Sequence, residues 1–208
     1  MTHVRKHAWV ISLAALLAVL LALTKIIQPG FGASGIESLA RAALPFGFAT
    51  AGMAVVIIAG GIDLSVASMM AVCAVTTAVL MERMAGVPAL IIVLLAGAGM
   101  GAINGTLIIL TKVPDIVVTL AMLFVWEGVA LLILSSPGGA TADWLEGAIR
   151  GSFIFSWLPK AFLIIAIVSA LLWGPLQRTK LGLSIYAIGS DELAAFRSGI
   201  SIGRSKVA

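Results

Sequence analysis

The chain has 208 residues, of which 61% are hydrophobic and only 11% charged. A soluble globular chain carries about 25% charged and about 45–50% apolar residues, so this one has too little polar surface to cover a water-facing exterior. Its net charge of +4 fits the excess of Lys and Arg in the cytoplasmic loops of membrane proteins, and no basic cluster interleaved with aromatics points to nucleic acid.

The composition is that of a polytopic membrane protein. Its first apolar run, Ala8–Leu23, follows Arg5 and Lys6. The run reads as a membrane span, with a secretory signal as the alternative. His3 and His7 lie four apart in this basic tail, where solvation rather than metal binding is expected. Gln28-Pro29-Gly30 then breaks the chain. The second and third runs, Ala42–Ala59 and Leu64–Met81, flank the segment Gly60-Gly61-Ile62-Asp63-Leu64-Ser65. Gly60 and Gly61 permit a sharp turn or unwound backbone. Asp63 and Ser65 supply side-chain oxygens able to cap the amides that open the next helix. Two readings stand. One is a tight connection at a membrane surface; the other is a broken helix beside a translocation pathway, where irregular backbone survives at membrane depth. Cys73, the single cysteine, has no disulfide partner and no companions for a metal site.

Glu82-Arg83 and Pro88 lead into the fourth run, Ala89–Leu110. Gly97, Gly101 and Gly105 recur every fourth residue, which leaves a flat groove for close approach of another helix, within the chain or across a dimer. Asn104 lies beside that groove, placed to hydrogen-bond across it. After Lys112-Val113-Pro114-Asp115 comes the fifth run, Ile116–Leu134, which holds Glu127, the one carboxylate well inside a span. An acidic residue at a helix centre is unfavourable by roughly 3 kcal/mol. Glu127 therefore faces a pathway or a partner helix, stays protonated, or reaches the outer headgroups. The longest outer loop, Ser135–Lys160, contains Pro137 and predicts a short surface helix around Asp143–Ile149. Trp157 and Trp173 bracket the sixth run, Ala161–Leu176, as an aromatic belt requires.

With a cytoplasmic N-terminus, the inner segments hold Arg5, Lys6, Lys112, Arg178, Lys180, Arg197, Arg204 and Lys206, against Lys25, Arg41, Arg83, Arg150 and Lys160 outside. This bias predicts six spans with both ends cytoplasmic. In the polar tail, Gln177–Ala208, Ser190 reads as an N-cap followed by Asp191 and Glu192 in the first turn. Leu193, Ala194, Ala195 and Phe196 continue the helix, and Gly199 terminates it. A free helix this short is unstable in water, so it docks on a partner or packs on its own membrane domain. The chain has no nucleophile–His–acid set and no Walker-type phosphate loop. Nothing in it supports an enzyme or calls for a cofactor.

Three segments carry a resemblance. They are Gly60 through Ser68; Gly101-Ala102-Ile103-Asn104-Gly105 continuing to Val113-Pro114 and Thr119-Leu120-Ala121-Met122; and Thr179-Lys180-Leu181-Gly182 through Tyr186-Ala187-Ile188-Gly189 to Ser198-Gly199-Ile200. In this order and spacing the chain resembles the inner-membrane permease subunits of bacterial ABC importers for monosaccharides, of the ribose, xylose, arabinose and galactoside types. The resemblance implies an all-α bundle of about six transmembrane helices in a single permease domain over 1–208, with 177–208 as a cytoplasmic coupling segment. It implies that Ser190–Gly199, with Ala195 and Phe196, docks on an ATPase subunit. A periplasmic sugar-binding protein delivers the solute, and a second permease subunit completes a homo- or heterodimer in the lipid bilayer. Ala67 stands where the family usually has glycine, Asp115-Ile116 where a small residue and Phe are usual, and Glu127 where arginine is expected. Lys206-Val207-Ala208 reads as the start of a further span. Two alternatives remain at this stage: an ATP-independent secondary transporter, and a remnant that assembles without transporting.

Overall fold

The structure is a computed structural model that describes residues 2–136, 138–139, 141–153 and 158–207. Pro137, Trp157 of the expected belt pair, and Ala208 lie outside the described residues. The chain forms α1 (Thr2–Ile27), α2 (Ala33–Ile58), α3 (Val66–Met81), α4 (Gly86–Thr111), α5 (Asp115–Ile133), α6 (Asp143–Ile149), α7 (Lys160–Arg178), α8 (Lys180–Ser190), α9 (Glu192–Arg197) and α10 (Ile202–Val207). Five of them, α1, α2, α4, α5 and α7, are long and apolar enough to cross a membrane, and α3 is a shorter apolar helix of 16 residues. The all-α membrane bundle expected from composition is what forms.

Two helix groups make the core. Val72 of α3, Met100 of α4 and Ala130 of α5 meet in one buried cluster, with Met69, Cys73 and Trp126 packed around it. Ala40 and Leu44 of α2 meet Ala161 of α7 in the other. Helix α1 presents apolar side chains outward, among them Trp9, Val10, Leu16 and Leu20. That is the surface a helix shows to lipid.

Helix α2 begins nine residues before the apolar run, because helix-forming residues extend it outward and Glu37 pairs with Arg41 one turn on, at 3.8 Å. Its other end closes with a Schellman motif. Gly60 N–H donates to Ile57 O and Gly61 N–H to Val56 O, each at 3.0 Å. The motif needs a left-handed residue, and Gly60 supplies it at φ +80°.

The tail is more helical than its sequence predicts. One short helix is expected after Gln177; the structure has three, α8, α9 and α10. Thr179 caps α8 by accepting from Gly182 N–H at 3.2 Å. Ile185 and Ile188 are buried against the bundle. Glycine marks the close contacts: a Cβ at Gly182 would overlap the Leu176 carbonyl, and one at Gly189 the Ile58 carbonyl.

Candidate functional site

The break between α2 and α3 is held by its own side chains and by those of two helices, α4 and α5. Asp63 Oδ1 accepts from the Ser65 N–H at 2.8 Å and from Ser65 Oγ at 2.6 Å. Asn104 Nδ2 of α4 donates to Ser65 Oγ at 2.7 Å, and Trp126 Nε1 of α5 donates to Asn104 Oδ1 at 3.1 Å. Thr119 Oγ1 of α5 accepts from the Leu64 N–H at 3.1 Å and donates to the Asp115 carbonyl at 2.9 Å. Every polar group in this chain of bonds has a partner, as buried groups require. Ser65, Asn104 and Thr119 are buried.

One expectation is corrected here. The Ser65 hydroxyl makes no capping bond to the amides of α3. Its proton goes to the nearby carboxylate, a short charge-assisted bond, and its lone pair goes to Asn104. Asp63 thus holds the break through an Asx turn at Ser65 instead of capping deeper amides.

The depth of the break follows from its partners. Asn104 lies seven residues before the end of α4 and Thr119 four residues into α5. At about 1.5 Å per residue, these positions are about 10 Å and about 6 Å inside the helix ends. The break is recessed into the bundle.

A cavity of about 270 Å³ lies against it. Asp63, Asn104, Asp115, Thr119 and Lys206 bring polar groups to its wall, while Val55, Val56 and Ile108 are among its apolar ones. Gly61 faces Asp115, whose Oδ2 would stand 2.9 Å from a Cβ added there. A side chain at position 61 would therefore press on that carboxylate.

The glycines of α4 divide their work. A Cβ at Gly97 would meet Cys73 Sγ at 3.4 Å, and one at Gly101 the Met69 terminal carbon at 4.0 Å, both on α3. Gly105 is buried under α10, with the Lys206 carbonyl oxygen 2.9 Å from where its Cβ would be. Glu127 belongs to none of this. It is exposed on α5, does not line the cavity, and has no hydrogen bond or ion pair among the described residues.

At the same end of the bundle, α9 is tied in on both sides. Gly60 lies against Gly189 of α8, 3.6 Å from an added Cβ to the Gly189 Cα. Glu192 Oε2 of α9 pairs with Lys206 Nζ of α10 at 3.1 Å. The cap of α9 is Asp191, accepting from Ala194 N–H at 2.9 Å, and not Ser190, which closes α8. Gly199, at φ +83°, ends α9 with a second Schellman motif: Gly199 N–H donates to Phe196 O and Ile200 N–H to Ala195 O. Ala195 is buried, whereas Leu193 and Phe196 are exposed.

Sequence reasoning missed Thr119, Trp126 and Lys206 as members of the site. A lone hydroxyl and a mid-span indole in the apolar stretch of α5 were the available signals. An all-α membrane bundle with a backbone break recessed beside a polar-edged cavity has the architecture of a solute permease. The profile of the family described as "Branched-chain amino acid transport system / permease component" matches residues 35–208, and the chain belongs to that family. The resemblance to importer permeases is borne out at that level. Similar proteins include the "Autoinducer 2 import system permease protein LsrD" of Salmonella paratyphi A, 32% identical over 97% of this chain and 63% of the relative. The protein of that name from Escherichia coli O9:H4 is 33% identical over 96% of this chain and 63% of its own length. The chain thus spans less than two thirds of the curated relatives it matches. No solved structure gives a significant match.

Proposed function

We propose that this chain is the membrane-spanning part of an ATP-driven importer in the bacterial inner membrane, moving a small hydroxylated solute of monosaccharide type. The permease has no chemistry of its own; ATP is hydrolysed by a separate ATPase subunit. A periplasmic binding protein supplies the solute, and a second permease subunit completes the pathway. Family membership and the LsrD relatives support the class, since those relatives are named for import. The observation that carries the reading is α9. It turns Leu193 and Phe196 outward while α8 and α10 connect it to the break and the cavity.

Exposed apolar residues on a short, capped helix are anchors for a partner, and its charged rim tunes docking more than it strengthens it. Asp191, Glu192 and Arg197 form that rim. A force on α9 reaches the break through the Gly60–Gly189 contact. The cavity suits a small solute with several hydroxyls, since the Asp63 and Asp115 carboxylates on its wall accept hydrogen bonds. Glu127 is exposed and stands outside the cavity wall.

The test is co-purification of the ATPase subunit with the permease from detergent-solubilised membranes. Phe196→Ala and Gly199→Pro are expected to reduce recovery of the ATPase while membrane insertion is unchanged. Undiminished recovery with both variants removes the coupling assignment. Competition by a panel of monosaccharides and amino acids in an uptake assay with all subunits present then identifies the solute class.

A further inference from the structure

We propose that Ile108, Asp115 and Lys206 form a gate between the cavity at the break and the α9 side of the bundle, and that Glu192 sets the position of that gate. A second cleft, of about 470 Å³, lies beyond the cavity and is bordered by Lys112, Pro114 and Glu192. Among the described residues, only Ile108, Asp115 and Lys206 line both spaces. They are the partition.

Each member is held differently. Ile108 is fixed in α4, and Asp115 opens α5. Lys206 is fixed through its main chain, because buried Gly105 admits its carbonyl oxygen where any side chain would exclude it. Its ammonium is drawn outward to Glu192 at 3.1 Å, with the lysine side chain 21% exposed and the glutamate 55%. A partly exposed pair of this kind is weak, so a partner settling on α9 has the means to open it. Losing Glu192 leaves Asp115 and Asp63, which share the cavity wall with Lys206, as its remaining anions, with Lys112 across the cleft as the competing cation. The lysine therefore has two alternative sets of anions, Glu192 in the outer cleft and Asp115 with Asp63 on the cavity wall, which is the bistable element a gate requires. Only the direction of the signal rests on reading α9 as an ATPase dock; the gate itself rests on the two spaces and their shared wall.

The experiment uses the full chain in inverted membrane vesicles, in a Cys73→Ala background with Val56→Cys as reporter, since Val56 lines the cavity and not the outer cleft. The rate of modification by a membrane-impermeant methanethiosulfonate reagent is followed. Glu192→Gln, which releases the ammonium toward Asp115 and Asp63, is expected to lower the rate by up to about fivefold, the change a weak ion pair can produce, and Lys206→Gln, which removes the ammonium from the partition, is expected to raise it. Glu192→Lys combined with Lys206→Glu is expected to return it to the parent rate. Single variants that leave the rate unchanged or move it in the opposite direction, or a charge swap that does not restore it, overturn the gate. Modification requires neither an ATPase nor a solute, so failure of the importer reading, which shows in co-purification, leaves this outcome independent.

Discussion

At Thr119 one hydroxyl takes the place of a backbone partner. The Leu64 N–H, freed by the end of regular helix, donates to Thr119 Oγ1, and no other bond to that N–H is present among the described residues. Thr119→Val keeps the shape and leaves the donor unpaired, so it is expected to cost about 1–3 kcal/mol, read as a lower thermal midpoint in detergent. Thr119→Ser recovers most of the loss. At Asp63 the order of effects separates charge from geometry. Asp63→Asn retains an acceptor for the Ser65 amide, whereas Asp63→Ala removes both Ser65 bonds. The alanine variant is expected to be the less stable of the two, with asparagine between it and the parent. Equal stability of Asp63→Ala and the parent removes the structural role. Asp63, Ser65 and Asn104 were legible as candidates because each is a polar residue at or inside an apolar run. Their mutual bonding was not legible, because Ser65 and Asn104 lie 39 positions apart and meet only once the registers of α3 and α4 are fixed.

Helices were read more easily than their limits. The six apolar runs all became helices, since hydropathy reports what lipid and core both demand. Helix α8 escaped notice because Gly182 and Gly189 look like breakers by propensity. Here they are the points where α8 touches α7 and α2, and tertiary contact outweighs the local cost. The start of α9 slipped by one residue because Ser190 and Asp191 are both good caps, and the continuation of α8 through Ser190 leaves the role to Asp191. Substitution distinguishes packing glycines from incidental ones. Gly189→Ala drives a methyl into the Ile58 carbonyl and is expected to lower stability by about 1–3 kcal/mol, weakening the contact between α8 and the break. Gly128→Ala, in α5 with open space around it, is expected to be neutral or stabilising by up to about 1 kcal/mol. Thermal midpoints of the two variants, measured side by side, decide whether proximity or propensity governs.

For the whole molecule, the break, the Lys112–Pro114 turn and helices α8–α10 gather at one end, and α6 lies at the other with Trp144 over Gly86. The basic-residue bias predicts that the α8–α10 end faces the cytoplasm. In the Cys73→Ala background, Ser201→Cys is expected to react with an impermeant thiol reagent only in inverted vesicles, and Thr141→Cys, at an exposed position before α6, only in intact cells stripped of their outer membrane. Gly139 is unsuited to this purpose, since its φ of +97° and the Ala78 side chain leave no room for a cysteine. Reaction of Ser201→Cys from the periplasmic face refutes the orientation. The short third helix has an electrical consequence. With 16 residues α3 spans about 24 Å, against a hydrocarbon layer of about 30 Å, and its foot is the break. A helix of that length carries the chain from the break across most of the hydrocarbon layer, so most of the membrane voltage falls along α3. An elementary charge crossing 100 mV exchanges about 2.3 kcal/mol with the field. On the proposed route, a charged solute would exchange most of that energy along the length of α3, before it reached Asp63.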